Sequence, residues 1–222
     1  MSRKSLLAAS ILAADFTKLG SEIAQADQAG VDWIQIDVMD GHFVPNLALG
    51  PAIVAACRRA TSIKLDTHLM IENPGKYIDA FVEAGTDSIT VHYEACPDLK
   101  SILQQIRKAG LRCGVAINPD TPAEALETVI KDIDIALVMT VHPGFAGQAF
   151  IEAMLPKITA VRKMLDDKGA KAHLQIDGGV DPTNILQAST AGADVFVAAS
   201  AIFKHPDGIH AGVESLRKAL AR

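Results

Sequence analysis

The sequence predicts an α/β fold, a single-domain (β/α)8 barrel of the TIM type, and three observations predict it. Eight β-rich runs alternate strictly with segments of helical periodicity. Capping residues, prolines and glycines mark the joins between them. At 222 residues the chain can bury the core of one such domain, and no linker, composition shift or low-complexity tract divides it, so residues 1–222 read as one barrel. An open doubly wound sheet is the alternative, but it would want a Gly-x-Gly-x-x-Gly turn after the first strand, and none is present.

In chain order, a strand over 5–12 precedes a helix over 17–29 that Gly30 closes. The strand over 33–39 and the helix over 51–60 follow, then the strand over 63–70 and a helix over 74–84 that opens at Asn73-Pro74 and closes at Gly85. The strand over 88–93 leads to a helix over 99–109, closed by Gly110, and the strand over 112–117 to a helix over 122–130 opening at Thr121-Pro122. The last three units pair strands over 135–141, 173–177 and 194–199 with helices over 150–167, 182–191 and 208–221. Gly169, Asp181-Pro182 and Gly192 supply their punctuation. Arg3-Lys4 ahead of the apolar run 6–14 has the outline of a secretory signal, yet the same residues are needed as the first buried strand.

Composition removes several classes of function. With 21 basic and 26 acidic residues and no long run of either sign, there is no electrostatic footprint for nucleic acid. Cys57, Cys96 and Cys113 are widely spaced without a Cys-x-x-Cys pair, which argues against a disulfide framework or thiolate metal site and fits a cytoplasmic setting. No apolar stretch reaches the roughly 20 residues of a membrane span.

The stretch 32–46 changes character from strand to turn. Ile34, Ile36 and Val38 form one face, Gln35, Asp37 and Met39 the other, and Asp40-Gly41 ends the run. Extending this alternation assigns inward faces throughout: Ala8 and Ser10, then Gln35, Asp37 and Met39, then Asp66, His68 and Met70. Thr90 and His92, Met139, and Gln175 with Asp177 complete the set. Asp37, His68 and Asp177 come from three strands onto one rim, the C-terminal rim where barrels keep their chemistry. Two carboxylates buried together are costly without a cation, so one divalent metal is expected, and the mixed imidazole and carboxylate donors suit Zn²⁺, Fe²⁺ or Mn²⁺. Glycine-rich loops at His142-Pro-Gly-Phe-Ala-Gly-Gln148 and Asp177-Gly-Gly-Val180, with Ala198-Ala-Ser200, offer backbone N–H groups to a phosphate.

Six segments resemble the ribulose-phosphate 3-epimerase family in order and placement. They are Ser10-Ile-Leu-Ala-Ala-Asp-Phe16, Asp37-Val-Met-Asp-Gly-His-Phe-Val-Pro-Asn46, Leu65-Asp-Thr-His-Leu-Met70, Asn118-Pro-Asp-Thr-Pro122, Pro143-Gly-Phe-Ala-Gly-Gln148 and Asp177-Gly-Gly179. The resemblance implies the ribulose-phosphate-binding type of barrel, inversion at C3 of a pentulose 5-phosphate, and an enediolate between two acid/base residues, Asp37 and Asp177. It also implies that Asp37, His68 and Asp177 ligate the metal, and that Ser10 and His68 touch substrate. Gly144, Phe145, Ala146 and Gly147, with Gly178, Gly179, Ala199 and Ser200, would hold the phosphate, and Met39, Met70 and Met139 would shield the planar intermediate. A homo-oligomer, dimer or hexamer, is implied as well.

This chain departs from the family pattern at three positions. Gln35 stands where the family has a histidine ligand, so the site either binds metal more loosely through the amide oxygen, favours a harder ion such as Mn²⁺ or Mg²⁺, or uses three protein ligands plus water. Ala199 replaces a glycine, and His142 an asparagine. A ketohexose 6-phosphate epimerase and a non-catalytic sugar-phosphate-binding barrel remain alternatives. Decarboxylation is disfavoured because Asp66-Thr-His68-Leu-Met70 lacks the lysine of an Asp-x-Lys-x-x-Asp pattern.

Overall fold

A computed structural model describes residues 4–221; Arg3, the first residue of the signal-like stretch, lies outside them. Eight parallel strands form the barrel: β1 (Leu6–Ser10), β2 (Trp33–Asp40), β3 (Lys64–Met70), β4 (Ser88–His92), β5 (Arg112–Ile117), β6 (Ile135–Met139), β7 (His173–Asp177) and β8 (Val195–Ala198). Each pairs with the next, and β1 closes the ring by pairing with both β2 and β8. The register aligns Asp37 with His68, Met39 with Met70, and Met139 with Asp177 on neighbouring strands.

The helices are α1 (Leu19–Gln28), α2 (Pro51–Ala60), α3 (Ile78–Glu83), α4 (Leu99–Lys108), α5 (Leu155–Asp167), α6 (Ile185–Thr190), α7 (Ser200–Phe203) and α8 (Ile209–Leu220). The outer core lies between them and the strands and includes Leu7, Ile36, Phe81, Val115 and Phe196, all at most 1 % exposed. Inside the ring, Ala8, Trp33, Ala116, Leu137 and Val197 form a second packed cluster. Gly114 makes room there, since a Cβ at that position would lie 2.2 Å from Thr90 Oγ1.

Four expectations need correction. The segment over 122–130 is not an α-helix but a 3-10 turn, Ala123–Leu126, continued by tight i to i−3 bonds. It nevertheless buries Ala123, Leu126, Val129 and Ile130, so the apolar spacing is satisfied by the narrower coil. The segment over 74–84 is split at Tyr77 into a 3-10 turn and α3, and the first turn of 150–167 is also 3-10. Of the three expected caps only Asp181 accepts from the start of its helical segment, at 2.7 Å from the Thr183 N–H; Asn73 is left-handed with no such bond, and Thr121 donates to Glu94 instead. A two-residue strand, Leu47–Ala48, pairs antiparallel with the end of β2, and α7 follows β8 directly; the sequence reading had neither.

Candidate active site

β2 alternates as its sequence requires, and its inward face carries Gln35, Asp37 and Met39 into the barrel mouth. Asp37 is 3 % exposed and fully bonded: Ser10 Oγ donates to Oδ2 at 2.6 Å and Gln35 Nε2 to Oδ1 at 2.9 Å. The same Gln35 Nε2 donates to Asp177 Oδ2 at 2.8 Å, so one amide group bridges carboxylates from β2 and β7. His68 Nδ1 lies 3.1 Å from Asp37 Oδ1 and 3.5 Å from Asp177 Oδ2. Ligand atoms of Asp37, His68 and Asp177 all fall within 4.8 Å of one another, a spacing open to a single cation.

The electrostatics separate the two carboxyls. Burial works to raise Asp37, but His68, Ser10 and Gln35 overcome it and hold Asp37 below the ordinary carboxylate range. Asp177 goes the other way: burial and the neighbouring Asp37 charge raise it beyond what His68 and Gln35 offset. Burial opposes a charge on His68, yet the two aspartates push it up to about 9. The site thus pairs two aspartates whose acidities are pushed apart, Asp37 down and Asp177 up.

Beneath this layer is a second one, in which Gln35, Gln175 and Asp66, all inward by alternation, are joined by hydrogen bonds that the sequence does not reveal. Gln35 Oε1 accepts from Gln175 Nε2 at 2.6 Å, and Gln175 Nε2 also reaches Asp66 Oδ2 at 3.1 Å. Ser88 Oγ bonds the other Asp66 oxygen at 2.7 Å, and burial raises Asp66. The Gln35 oxygen therefore faces away from Asp37 and Asp177. To one side, His68 Nε2 lies 2.9 Å from His92 Nε2, and His92 Nδ1 lies 3.2 Å from Glu94 Oε2. His92 was read as inward without a role; Glu94 was missed, because it lies on a 3-10 turn beyond the end of β4, where alternation no longer applies.

Ser10, Asp37, Met39, Met70, Met139 and Asp177 line a small cavity of about 50 Å³ at the mouth, with Gly144, Phe145, Ala146, Gly147 and Gly178 over it. The loop carrying Gly144 reaches across to β2, where Asn46 Nδ2 donates to Gly144 O at 2.8 Å. Gly147, Gly179 and Ala199 also line an adjoining cavity of about 620 Å³, with Ser200, Asn184 and Lys204. All three expected anion-binding loops thus contribute to one space. Lys204, the cation on its edge, was not singled out in the sequence; it follows α7, a helix that reading had not placed. Gly179 has φ +66°, and a Cβ there would lie 2.3 Å from Phe150 N, so the loop needs glycine. Ala199 has φ −109°, so the position does not call for the left-handed freedom of glycine. His142 is exposed and lies 3.8 Å from Asp120, outside both cavities.

The model of the ribulose-phosphate 3-epimerase family matches residues 6–203. The chain belongs to this family. Its relatives include the ribulose-phosphate 3-epimerase of Bacillus subtilis, 50 % identical over 202 residues that cover 90 % of this chain and 93 % of that one. The Synechocystis ribulose-phosphate 3-epimerase is 49 % identical over 209 residues, covering 93 % and 91 %. Among solved structures, a 3-keto-L-gulonate-6-phosphate decarboxylase from Vibrio cholerae superposes with a TM-score of 0.74 at 15 % identity, covering 99 % of each chain, a likeness of fold alone. Within the epimerase family this chain is an isomerase on the (β/α)8 barrel that its sequence predicts. Among the described residues no helix is long and apolar enough to cross a membrane.

Proposed function

We propose that the chain interconverts D-ribulose 5-phosphate and D-xylulose 5-phosphate by moving a proton at C3 between Asp37 and Asp177. One observation carries the reading: two buried aspartates on strands three steps apart around the ring converge on one cavity, with acidities pushed in opposite directions. Removing the C3 proton leaves a planar enediolate, and inversion requires that a proton return to the opposite face. Asp37, the stronger acid of the pair, accepts from one face, and Asp177, the weaker, donates at the other; the reverse reaction exchanges the roles. Ser10, bonded to Asp37, fixes the orientation of that carboxylate. Met39, Met70 and Met139 exclude water from the intermediate, and the loops at Gly147, Gly179 and Ser200 take the phosphate.

The donor set fits a divalent cation. Asp37, His68 and Asp177 would hold it, and their mixed nitrogen and oxygen donors match Zn²⁺, Fe²⁺ or Mn²⁺. Such an ion supplies positive charge against the developing oxyanion. Gln35 is not a ligand in this arrangement, because its nitrogen faces the carboxylates.

Incubation with ribulose 5-phosphate in deuterated water, with and without each of the three ions, tests the proposal. Deuterium at C3 together with xylulose 5-phosphate formation is expected. No exchange under any of these conditions would sink the epimerase reading, and a higher kcat/KM for a ketohexose 6-phosphate would reassign the substrate.

A further inference from the structure

Past the ligand set, a chain of contacts runs from buried His68 and His92 through Glu94, at the surface, to the next loop of the barrel, and each link has a direction. Glu94 Oε1 accepts the backbone N–H of Asn118 at 2.8 Å and the hydroxyl of Thr121. That loop is itself clamped: Lys157 Nζ, from α5, donates to the carbonyls of Asn118, Pro119 and Thr121 at 3.1, 2.5 and 2.7 Å. A backbone N–H cannot become an acceptor, so Glu94 must present oxygen to the loop, and as a carboxylate it presents its second oxygen to His92. His92 Nδ1 must then carry the hydrogen, which leaves His92 Nε2 as a lone pair. That lone pair faces His68 Nε2 at 2.9 Å, so His68 must donate there. The remaining ring nitrogen, Nδ1, is the one directed at Asp37 and Asp177. Phe43 packs on the His92 ring at 4.7 Å between centroids, and His68 and His92 are stacked, so neither ring turns freely.

We propose that Glu94 and His92 are positioning residues that fix the tautomer of His68, keeping its Nδ1 lone pair available to a divalent cation. The inference rests on His68 being a ligand, as put forward above. It extends that site by two residues and predicts an outcome that packing alone would not give. In Glu94→Gln the loop donors still require an oxygen, so the amide nitrogen must turn to His92. His92 would then take its hydrogen on Nε2, and His68 Nε2, now facing a donor, would hold the lone pair. The ligand nitrogen would carry the hydrogen instead, and the cation would meet the wrong tautomer.

The test is a calorimetric titration of metal-free full-length protein with Zn²⁺ and Mn²⁺, alongside ¹⁵N NMR of the histidine ring nitrogens. Wild type is expected to show His92 protonated on Nδ1 and, with Zn²⁺ bound, His68 protonated on Nε2. Glu94→Gln is expected to move the His92 hydrogen to Nε2 and to weaken metal binding by roughly 10- to 100-fold. If Glu94→Gln does not fold by circular dichroism, the wild-type tautomers decide alone: His92 protonated on Nε2 overturns the relay. Unchanged affinity and tautomers in a folded Glu94→Gln overturn it too. Failure of the ligand reading is distinguishable, because His68→Ala would then leave the wild-type metal affinity unaltered.

Discussion

Gln35 spans Asp37 and Asp177 with its nitrogen and receives Gln175 on its oxygen, so it occupies the gap between the acid/base pair as a donor. In Gln35→His, an imidazole would replace that donor by a ring lone pair. Metal binding is expected to tighten by about tenfold, which corresponds to ~1.4 kcal/mol, while thermal stability falls because Gln175 loses one of its two acceptors, a cost of about 1 kcal/mol. Calorimetric titration and a melt measure both, and an unchanged metal affinity would place residue 35 out of the ion's reach. Asp37→Asn removes the ionised member of the pair and is expected to lower kcat by roughly 10²–10⁴-fold with the fold retained by circular dichroism. Activity near wild type would mean that another group takes the C3 proton. The inward identity of Ser10, Asp37, His68 and Asp177 was legible in the sequence, because a period of two leaves no freedom once one residue of a strand is placed. The direction in which Gln35 turns its amide was not. It depends on Gln175, which is distant in sequence and meets Gln35 only when the barrel closes.

The strands are as their residues demand, β2, β5 and β7 almost to the residue, whereas the helices over 74–84 and 150–167 give up their first turns to 3-10 coil and the segment after β5 has no α-helix. Apolar spacing reports which side is buried, but it does not distinguish coils of 3.0 and 3.6 residues per turn over so short a segment. The loops are where backbone conformation decides function. Gly179 is left-handed and packed on Phe150, so Gly179→Ala is expected to displace the loop that lines the larger cavity. An increase of about tenfold or more in KM with a smaller change in kcat would locate the damage in binding rather than chemistry. Ala199→Gly is the matched control: φ there is already negative, so steady-state kinetics within about twofold of wild type are expected. A gain larger than that would show that the methyl group obstructs the phosphate.

Over the whole molecule, the protons held at the barrel mouth couple stability to pH. Folding of the metal-free chain raises His68 from the ordinary 6.5 to about 9, so its contribution is complete below pH 6.5 and is lost as pH climbs towards 9. Asp66 and Asp177 are also raised, and a carboxyl that keeps its proton only when folded likewise weakens the folded state as pH rises, so all three act in one direction. Buried Cys57, Cys96 and Cys113, pushed up to about 11, 12 and 11, add to this decline only above their ordinary value of 9.0, which leaves pH 6.5–8.5 to the mouth. One proton changes stability by about 1.4 kcal/mol per pH unit, so the melting temperature in a chelator is expected to fall by on the order of 5–10 °C across that window. A bound cation takes the place of the His68 proton, so metal affinity should strengthen over the same range and saturating metal should flatten the decline. Differential scanning calorimetry at three pH values, with chelator and with Mn²⁺, measures both limbs. A flat curve in chelator would mean that the two aspartates do not hold a protonated His68 between them, and the charge pairing at the centre of this barrel would have to be redrawn.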